Sequence, residues 1–243
     1  MKKIMMDKPE IFVSPNEYKI NGKSYYRVTA TLGVISKHRL RSWMGRIGYK
    51  KANQILETRQ AIGTHVHKLI ENSLKGKQIN LGSYEKEIQD GLKEFKKFAK
   101  LSKLKPQGLE QNLWSNEYGY AGTADYIGYY TSCEEYLVAT IKNHKRVKEA
   151  KFAQTALVIG DWKTGKDIYP TYWLQLAAYV NAFEELTGIK VAGVFIARIR
   201  DGKISIKEKA YDELMKEFPA YLAALTLYEW RYKKGKFAFL KKR

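Results

Sequence analysis

An apolar segment that ends in an acid and a base two residues apart constrains this chain more than any other feature. Residues 155–159 read Thr-Ala-Leu-Val-Ile, and Gly160 then leads into Asp161, Trp162 and Lys163. The pattern predicts a strand, on which residues i and i+2 point to the same side, so that Asp161 and Lys163 project together. A surface ion pair is the simple explanation of an isolated pair. At the end of a buried strand, however, both groups need compensating partners, which a divalent metal ion and a phosphate would supply.

Length and composition indicate one soluble globular domain over residues 1–243, with 44% hydrophobic and 13% aromatic residues. No apolar run approaches the roughly 20 residues of a membrane-spanning helix. Residues 1–7 lack the apolar region of a signal peptide, so we expect a cytoplasmic protein. Cys133 is the single cysteine, which excludes an internal disulfide and a cysteine-held iron–sulfur cluster, and suits a reducing compartment.

The charge predicts a polyanionic partner. Lys and Arg number 44 against 25 Asp and Glu, a net charge of +19. Nucleic acid is the simplest such partner. An anionic membrane would require a lipid-facing helix, and the other alternative is a charge that serves only solubility. The tail 231–243 holds seven basic residues and no acid. A second basic cluster, predicted to bind DNA, consists of Lys142, Lys145, Arg146, Lys148 and Lys151.

Periodicity and turn residues predict a mixed α/β sheet with helices packed against it. The Asn21-Gly22 pair predicts a hairpin within residues 9–28, and the helical pattern of residues 37–75 is expected to break at Gly63, with Thr64 as a cap. The remaining predictions are helices over 84–102, 171–187 and 211–230, and strands over 109–114, 118–130, 136–141, 156–163, 191–198 and 203–206. The strands 136–141 and 156–163 are expected to flank the basic cluster as one long hairpin.

Asp125 supplies a second carboxylate beside the Asp161 strand. It lies within Gly122-Thr123-Ala124-Asp125 in the middle of a predicted strand, where an edge position facing solvent is the alternative. Two carboxylates on neighbouring strands, with the backbone carbonyl of Trp162, would hold Mg²⁺ or Mn²⁺. Such an ion activates water and offsets charge on a phosphate, and Lys163 would orient that water or neutralise the transition state.

Two helical pairs accompany these acids. His67 and Glu71 are four residues apart on one predicted helix face, and Gln175 and Tyr179 have the same spacing on another. Each pair is also compatible with an ordinary helix face. Glu71 is a candidate second-shell acid. Glu110, on the strand before Asp125, is a candidate second-shell acid or ligand of a second metal ion, or a solvated strand residue.

Four motifs in this order resemble the PD-(D/E)xK nuclease superfamily. They are G-T-x-x-H-x-x-x-E at 63–71, G-T-x-D at 122–125, D-W-K-T-G at 161–165 and Q-x-x-x-Y at 175–179. The chain looks like the RecB-like exonuclease branch, which includes phage exonucleases and the mitochondrial genome maintenance exonuclease. The resemblance implies a restriction-endonuclease-like αβββαβ core over about 37–198, preceded by an N-terminal hairpin region and followed by a C-terminal helix and basic tail. By this resemblance the metal ligands would be His67, Asp125, Asp161 and the Trp162 carbonyl, Lys163 would position the base, and Gln175 and Tyr179 would support them.

We therefore expect a Mg²⁺- or Mn²⁺-dependent deoxyribonuclease, an exonuclease acting on single-stranded or frayed DNA ends. The alternatives are a structure-specific endonuclease and a non-catalytic nucleic-acid-binding module of the same fold. The chain departs from the relatives that carry a four-cysteine iron–sulfur cluster. It also spaces Asp125 and Asp161 by 36 residues, and the segment 142–151 in that interval is either an arm that reaches along DNA or a solvated hairpin tip.

Overall fold

The computed structural model describes residues 9–35, 38–82, 84–142 and 145–232. The basic tail beyond residue 232 lies outside the described residues. The strands are β1 Ile11–Val13, β2 Glu17–Ile20, β3 Lys23–Arg27, β4 Lys105–Ser115, β5 Tyr120–Tyr130, β6 Thr140–Lys142, β7 Lys145–Val147, β8 Ala156–Lys163, β9 Gly193–Arg200 and β10 Lys203–Ala210. The helices are α1 Val28–Thr31, α2 His38–Ile47, α3 Tyr49–Leu74, α4 Lys86–Leu101, α5 Pro170–Thr187, α6 Tyr211–Met215 and α7 Phe218–Tyr232.

In the described chain, eight of these strands form one open mixed sheet in the order β1-β2-β3-β5-β8-β9-β10, with β4 also paired to β5. The pairs β3–β5 and β8–β9 are parallel, and the other neighbours are antiparallel. Because β4 follows one edge of β5 for most of its length, β3 and β8 must share the other edge. Along β5, strand β3 pairs only with Tyr120 and Ala121, and β8 pairs only from Tyr126 onward. Residues 122–125 therefore lie in a gap between β3 and β8.

Helices cover both faces of the sheet, which explains why the central strands are apolar on both sides. One core packs α5 and α7 against Ile127, Ile159 and Val194, and the other packs α3 and α4 against Trp162 and Phe195. The alternation of neighbouring residues between the two cores follows from the two-residue repeat of a strand.

Several predicted elements are confirmed. The β2–β3 hairpin turns at Asn21 and Gly22, whose φ angles of 48° and 78° are those of a tight hairpin turn. The helix predicted over 171–187 is α5, which ends at Gly188 with a φ of 67°. The helix predicted over 211–230 is instead two helices, α6 and α7.

The predicted helix break at Gly63 is wrong. Helix α3 is continuous, and the chain turns earlier, at Gly48, whose φ is 87°. A Cβ on Gly63 would lie 3.0 Å from Oγ1 of Thr164, so the glycine lets α3 approach the end of β8. Thr64 donates its hydroxyl to the carbonyl of Gln60 within the helix and caps nothing.

The predicted long hairpin between 136–141 and 156–163 is also wrong. Strand β8 pairs with β5 and β9, while the N–H of Val138 donates to the carbonyl of Ile206 at 2.9 Å. The strands β6 and β7 form a separate two-stranded ladder. Long-range pairing with β5 outcompetes the local hairpin because it buries both faces of β8.

Candidate active site

The gap between β3 and β8 places Asp125 and Asp161 opposite each other. Their strands are paired as far as Tyr126 and Gly160, so the next two opposed positions are the two aspartates. There the ladder ends, and the N–H of Trp162 donates to Oδ2 of Asp125 at 2.8 Å. Both aspartates are buried, with 9% of Asp125 and 1% of Asp161 exposed. The carboxylate thus satisfies a backbone donor that would otherwise be orphaned.

Helix α3 brings His67 to the same point. Its Nδ1 lies 3.5 Å from Oδ2 of Asp125. Burial opposes protonation of the imidazole, but the charges of Asp125 and Asp161 outweigh it and raise the pKa of His67. Burial likewise opposes ionisation of Asp125, but the charges of His67 and Lys163 lower the pKa of that carboxyl. The cluster therefore holds a charged carboxylate in a water-poor position.

Glu110 completes a group of potential metal ligands with His67 and Asp125. It lies directly opposite Asp125, between the paired positions Leu109 and Gln111 of β4. One ligand atom from each of the three residues lies within 4.8 Å of the others. Partial burial and the charge of Asp125 raise the pKa of Glu110 to about 7. Two carboxylates and an imidazole at this spacing could hold a divalent metal ion, which would relieve their mutual repulsion.

Lys163, which is partly buried, forms an ion pair with the buried Asp161, as their spacing on β8 predicts. Nζ of Lys163 lies 2.6 Å from Oδ2 of Asp161 and 4.7 Å from the centre of the Tyr172 ring. Burial opposes charge on the ammonium, but Asp161 and Asp125 outweigh it and raise the pKa of Lys163. Burial and the charge of Asp125 raise the pKa of Asp161, against the opposing effect of Lys163.

Helix α5 supplies the predicted amide and phenol. Nε2 of Gln175 donates to the hydroxyl of Tyr179 at 3.1 Å and approaches Oδ1 of Asp161 at 3.5 Å. Tyr179 packs on Gly122, where an added Cβ would lie 2.4 Å from its ring. Gly122, the glycine of the G-T-x-D motif, therefore makes room for the ring of Tyr179, and the aspartate of the same motif is the buried Asp125.

Trp162 contributes packing rather than a functional side chain. Its ring lies 5.3 Å from that of Phe95 and 5.4 Å from that of Phe195, in the core beneath α4. The alternation along β8 sends this side chain away from Asp161 and Lys163. That its backbone carbonyl is a metal ligand stays a prediction.

Among their side chains, the sequence-predicted ligand set and the group in the structure differ in one residue. His67 and Asp125 belong to both, but the third member of the group is Glu110, whereas Asp161 pairs with Lys163. Glu110 had been predicted as a second-shell acid or a second-metal ligand. The antiparallel register of β4 and β5 brings it opposite Asp125, and the turn at residues 116–119 was the available signal.

Glu71, the other predicted second-shell acid, has both carboxylate oxygens paired with neighbouring lysines. Its carboxylate forms ion pairs with Lys68, at 2.8 Å, and with Lys75. Hydrogen bonds from these two ammonium groups lower the pKa of Glu71. Glu71 is not a member of the group formed by His67, Glu110 and Asp125, but its negative charge contributes to the raised pKa of Glu110.

The basic cluster of residues 142–151 starts at the far end of the sheet from these acids. The strand β8 separates Ala156, near that cluster, from Lys163 by about 23 Å, at 3.3 Å per residue. Nζ of Lys148 donates to the carbonyl of Glu134 at 2.7 Å, and Lys151 forms ion pairs with Glu149 and Glu213. Two of the five predicted DNA-binding residues are thus engaged within the protein. Lys145 and Arg146 are exposed, and the side chain of Lys142 lies outside the described part of the structure.

Comparison with known protein families finds no match to this chain, and no curated protein matches it either. Among the described residues, none of the helices has the length and hydrophobicity needed to cross a membrane.

Proposed function

We propose that this protein is a divalent-metal-dependent deoxyribonuclease of the PD-(D/E)xK superfamily, in its RecB-like branch. One observation carries the proposal: an ion pair between buried Asp161 and partly buried Lys163 on one strand faces Asp125 on the next, where His67 and Glu110 converge. A cluster of carboxylates beside a fixed ammonium group suits hydrolysis of a phosphodiester. The carboxylates provide a metal site, and the ammonium group stabilises the developing negative charge.

The topology supports the same proposal. Along the chain, α4, β4, β5, β8, α5 and β9 follow the order αβββαβ, and β4, β5, β8 and β9 are neighbours in the sheet. This order agrees with the restriction-endonuclease-like core that the resemblance implies, and it therefore supports the proposal. Helices α3 and α5 pack in the two different cores, on opposite faces of the sheet, so His67 of α3 and Gln175 of α5 approach the acids from different sides.

The roles of the residues follow from the chemistry of their side chains. His67, Glu110 and Asp125 would hold Mg²⁺ or Mn²⁺, since oxygen-rich sites suit both ions and an imidazole is compatible with Mn²⁺. The bound ion would activate a water molecule and offset charge on the scissile phosphate. Lys163 donates hydrogen bonds to that water or to a phosphate oxygen, and Asp161 keeps its ammonium oriented. Gln175 holds Asp161 from the side of α5.

DNA is the proposed substrate because the net charge of +19 favours a polyanion and because the motifs resemble DNA exonucleases. Exonucleolytic cleavage of single-stranded or frayed ends rests on that resemblance. An endonuclease and a binding module remain as the competing outcomes of the experiment below.

The test uses end-labelled linear and circular single-stranded DNA, incubated with Mg²⁺ or Mn²⁺. We expect degradation of the linear strand alone. Replacing Lys163 or Asp161 by Ala should lower the rate at least about 10²-fold, because each removes a charge that acts in the transition state. Retained binding of DNA in EDTA would show that these variants are folded.

The matched control is Lys166→Ala, which removes an exposed lysine three residues beyond Lys163 and should leave the rate unchanged. Nicking of circles would support an endonuclease, and binding without cleavage would support the module. Parental activity in the Lys163→Ala variant would refute the mechanism.

A further inference from the structure

Helix α3 is embedded in the protein only in its second half. From residue 49 to residue 61 every position is exposed except Ala52, whereas Leu69 and Ile70 are buried. Helix α2 contacts this exposed half across the turn at Gly48. We call residues 38–61 the helical arm. Burial against the rest of the protein does not explain a helix that is exposed on nearly all sides. The length of this helix therefore indicates a surface for a partner.

The charge of the helical arm indicates that the partner is an anion. Its exposed ionisable side chains include one acid, Glu57, and a set of cations: Arg41, Arg46, Lys50, Lys51 and Arg59. Arg59 pairs with Glu87 of α4 at 3.4 Å. In the described part of the chain, the other four cations form no ion pair. Surface helices usually intersperse both signs, so an unpaired excess of this size is a binding feature.

The face of α3 that carries His67 continues into the helical arm. His67 and Tyr49 are 18 residues apart, which is five turns at 3.6 residues per turn, so the two side chains lie on one face of the helix. The positions between them on this face include Asn53, Leu56 and Gln60. The ring of Tyr49 is 65% exposed, and the exposed residues Lys50 and Lys51 follow it in the sequence. An exposed aromatic ring in a basic segment can stack on a nucleic-acid base while nearby cations bind the phosphates.

We infer that one strand of the DNA substrate runs from the acids along this face of α3 to the start of the helix, where Tyr49 stacks on a base and the cations around the turn at Gly48 (Arg46, Lys50 and Lys51) bind phosphates. The inference rests on the proposed function in one respect, because that function places one end of the DNA strand at His67. The span of 18 residues is about 27 Å, or about eight stacked nucleotides at 3.4 Å each. An anionic membrane fits less well, because polar residues interrupt the apolar positions of this face.

The experiment measures binding of a fluorescent single-stranded 20-mer and a 5-mer in EDTA, so that its outcome does not depend on cleavage. For the 20-mer, Arg46→Gln/Lys50→Gln/Lys51→Gln should raise Kd at least about tenfold and reduce the slope of log K against log salt by about 2, which is 0.7 for each lost contact. Tyr49→Ala should raise Kd about fivefold or more. The parent protein should bind the 5-mer, which cannot span the distance from the acids to Tyr49, more weakly than the 20-mer.

The matched control is Lys93→Gln/Lys96→Gln/Lys100→Gln, which removes the same charge from the exposed side of α4. Equal losses in control and arm variants would show a general charge effect and overturn the inference, as would unchanged 20-mer binding. Binding of anionic vesicles in place of the 20-mer would overturn it too.

The two proposals fail separately in these assays. If the parent cleaves DNA but the arm variants bind the 20-mer as it does, the arm inference alone fails. If the parent binds the 20-mer through the arm and cleaves nothing, the nuclease proposal alone fails.

Discussion

At the scale of single residues, Glu110 shows how backbone strain accompanies the proposed site. Its φ of 50° lies in the left-handed region, which a residue with a Cβ adopts at a cost on the order of 1–3 kcal/mol. The residue interrupts the paired positions of β4 directly opposite Asp125. Glycine would occupy this conformation more readily, so a glutamate here points to a requirement for the carboxylate.

Removing this carboxylate should weaken metal binding without harming the fold. We expect Glu110→Gln and Glu110→Gly each to raise the Kd for Mn²⁺ by about tenfold or more, since each removes a charged ligand. Without metal, Glu110→Gly should leave the free energy of unfolding unchanged or raise it by up to about 1 kcal/mol, because the strain is relieved. Thermal unfolding with and without Mn²⁺ measures both effects.

The control for this comparison is Glu117→Gln, which changes an exposed glutamate in the turn between β4 and β5. It should keep the parental stabilisation by Mn²⁺. If Glu110→Gln keeps it as well, Glu110 does not bind the ion.

At the scale of elements, a glycine on β5 decides how closely α5 approaches the sheet. A Cβ on Gly122 would lie 2.4 Å from Cε1 of Tyr179, too close for any packing arrangement. Because α5 lies this close, the ring of Tyr179 packs on Gly122. The hydroxyl of Tyr179 then accepts a hydrogen bond from Gln175, which also lies beside Asp161. The sequence motif on β5 and the motif on α5 are thus one packing unit.

Gly122→Ala should therefore damage both stability and activity. We expect a loss of about 1–3 kcal/mol in the free energy of unfolding, because the methyl group displaces the buried Tyr179 ring. The rate of DNA cleavage should fall at temperatures where the variant is still folded, since Gln175 moves with Tyr179. Denaturant unfolding and single-turnover cleavage are the two measurements.

Gly33→Ala is the control, because nothing lies within 4 Å of the Cβ position there. It should be neutral in both assays. Parental stability in the Gly122→Ala variant would mean that Tyr179 is not seated as described.

At the scale of the whole molecule, exposed positive charge lies both beside the proposed site and at the far end of the sheet. The helical arm extends from the His67 helix, while Lys145 and Arg146 lie on the β6–β7 hairpin, near the opposite end of β8. The base of that hairpin is tied to β10, since Glu208 accepts hydrogen bonds from the hydroxyl of Ser132 and the N–H of Lys151 at 2.8 Å each. The two basic surfaces are too far apart to serve one phosphate.

Affinity for DNA should consequently depend steeply on salt. With about five phosphates neutralised on a single strand, the slope of log K against log salt is about −3.5, so affinity falls about a hundredfold between 50 and 200 mM salt. Titration of a labelled single strand in EDTA across this range measures the slope. A flat dependence would contradict nucleic-acid binding by charge, provided that thermal unfolding shows the protein intact at each concentration.

Local patterns were sufficient for much of this protein. The Asn21-Gly22 turn, the end of α5 at Gly188 and the shared side of Asp161 and Lys163 depend on backbone preferences and on the two-residue repeat of a strand, so they could be predicted. The break assigned to Gly63 and the hairpin assigned to 136–141 failed because close packing on Thr164 and pairing with β5 are not local properties.

The sequence by itself determined most of the order of helices and strands, the excess of positive charge and the shared side of Asp161 and Lys163, because each is carried by short-range spacing or composition. Only the tertiary structure decided that Glu110 stands opposite Asp125 with His67, and that Asp161 is buried beside Lys163. It also decided that half of α3 stands exposed as a basic arm. The physical reason is that strand register and helix burial depend on which distant surfaces pack together, and that competition is settled by the whole fold.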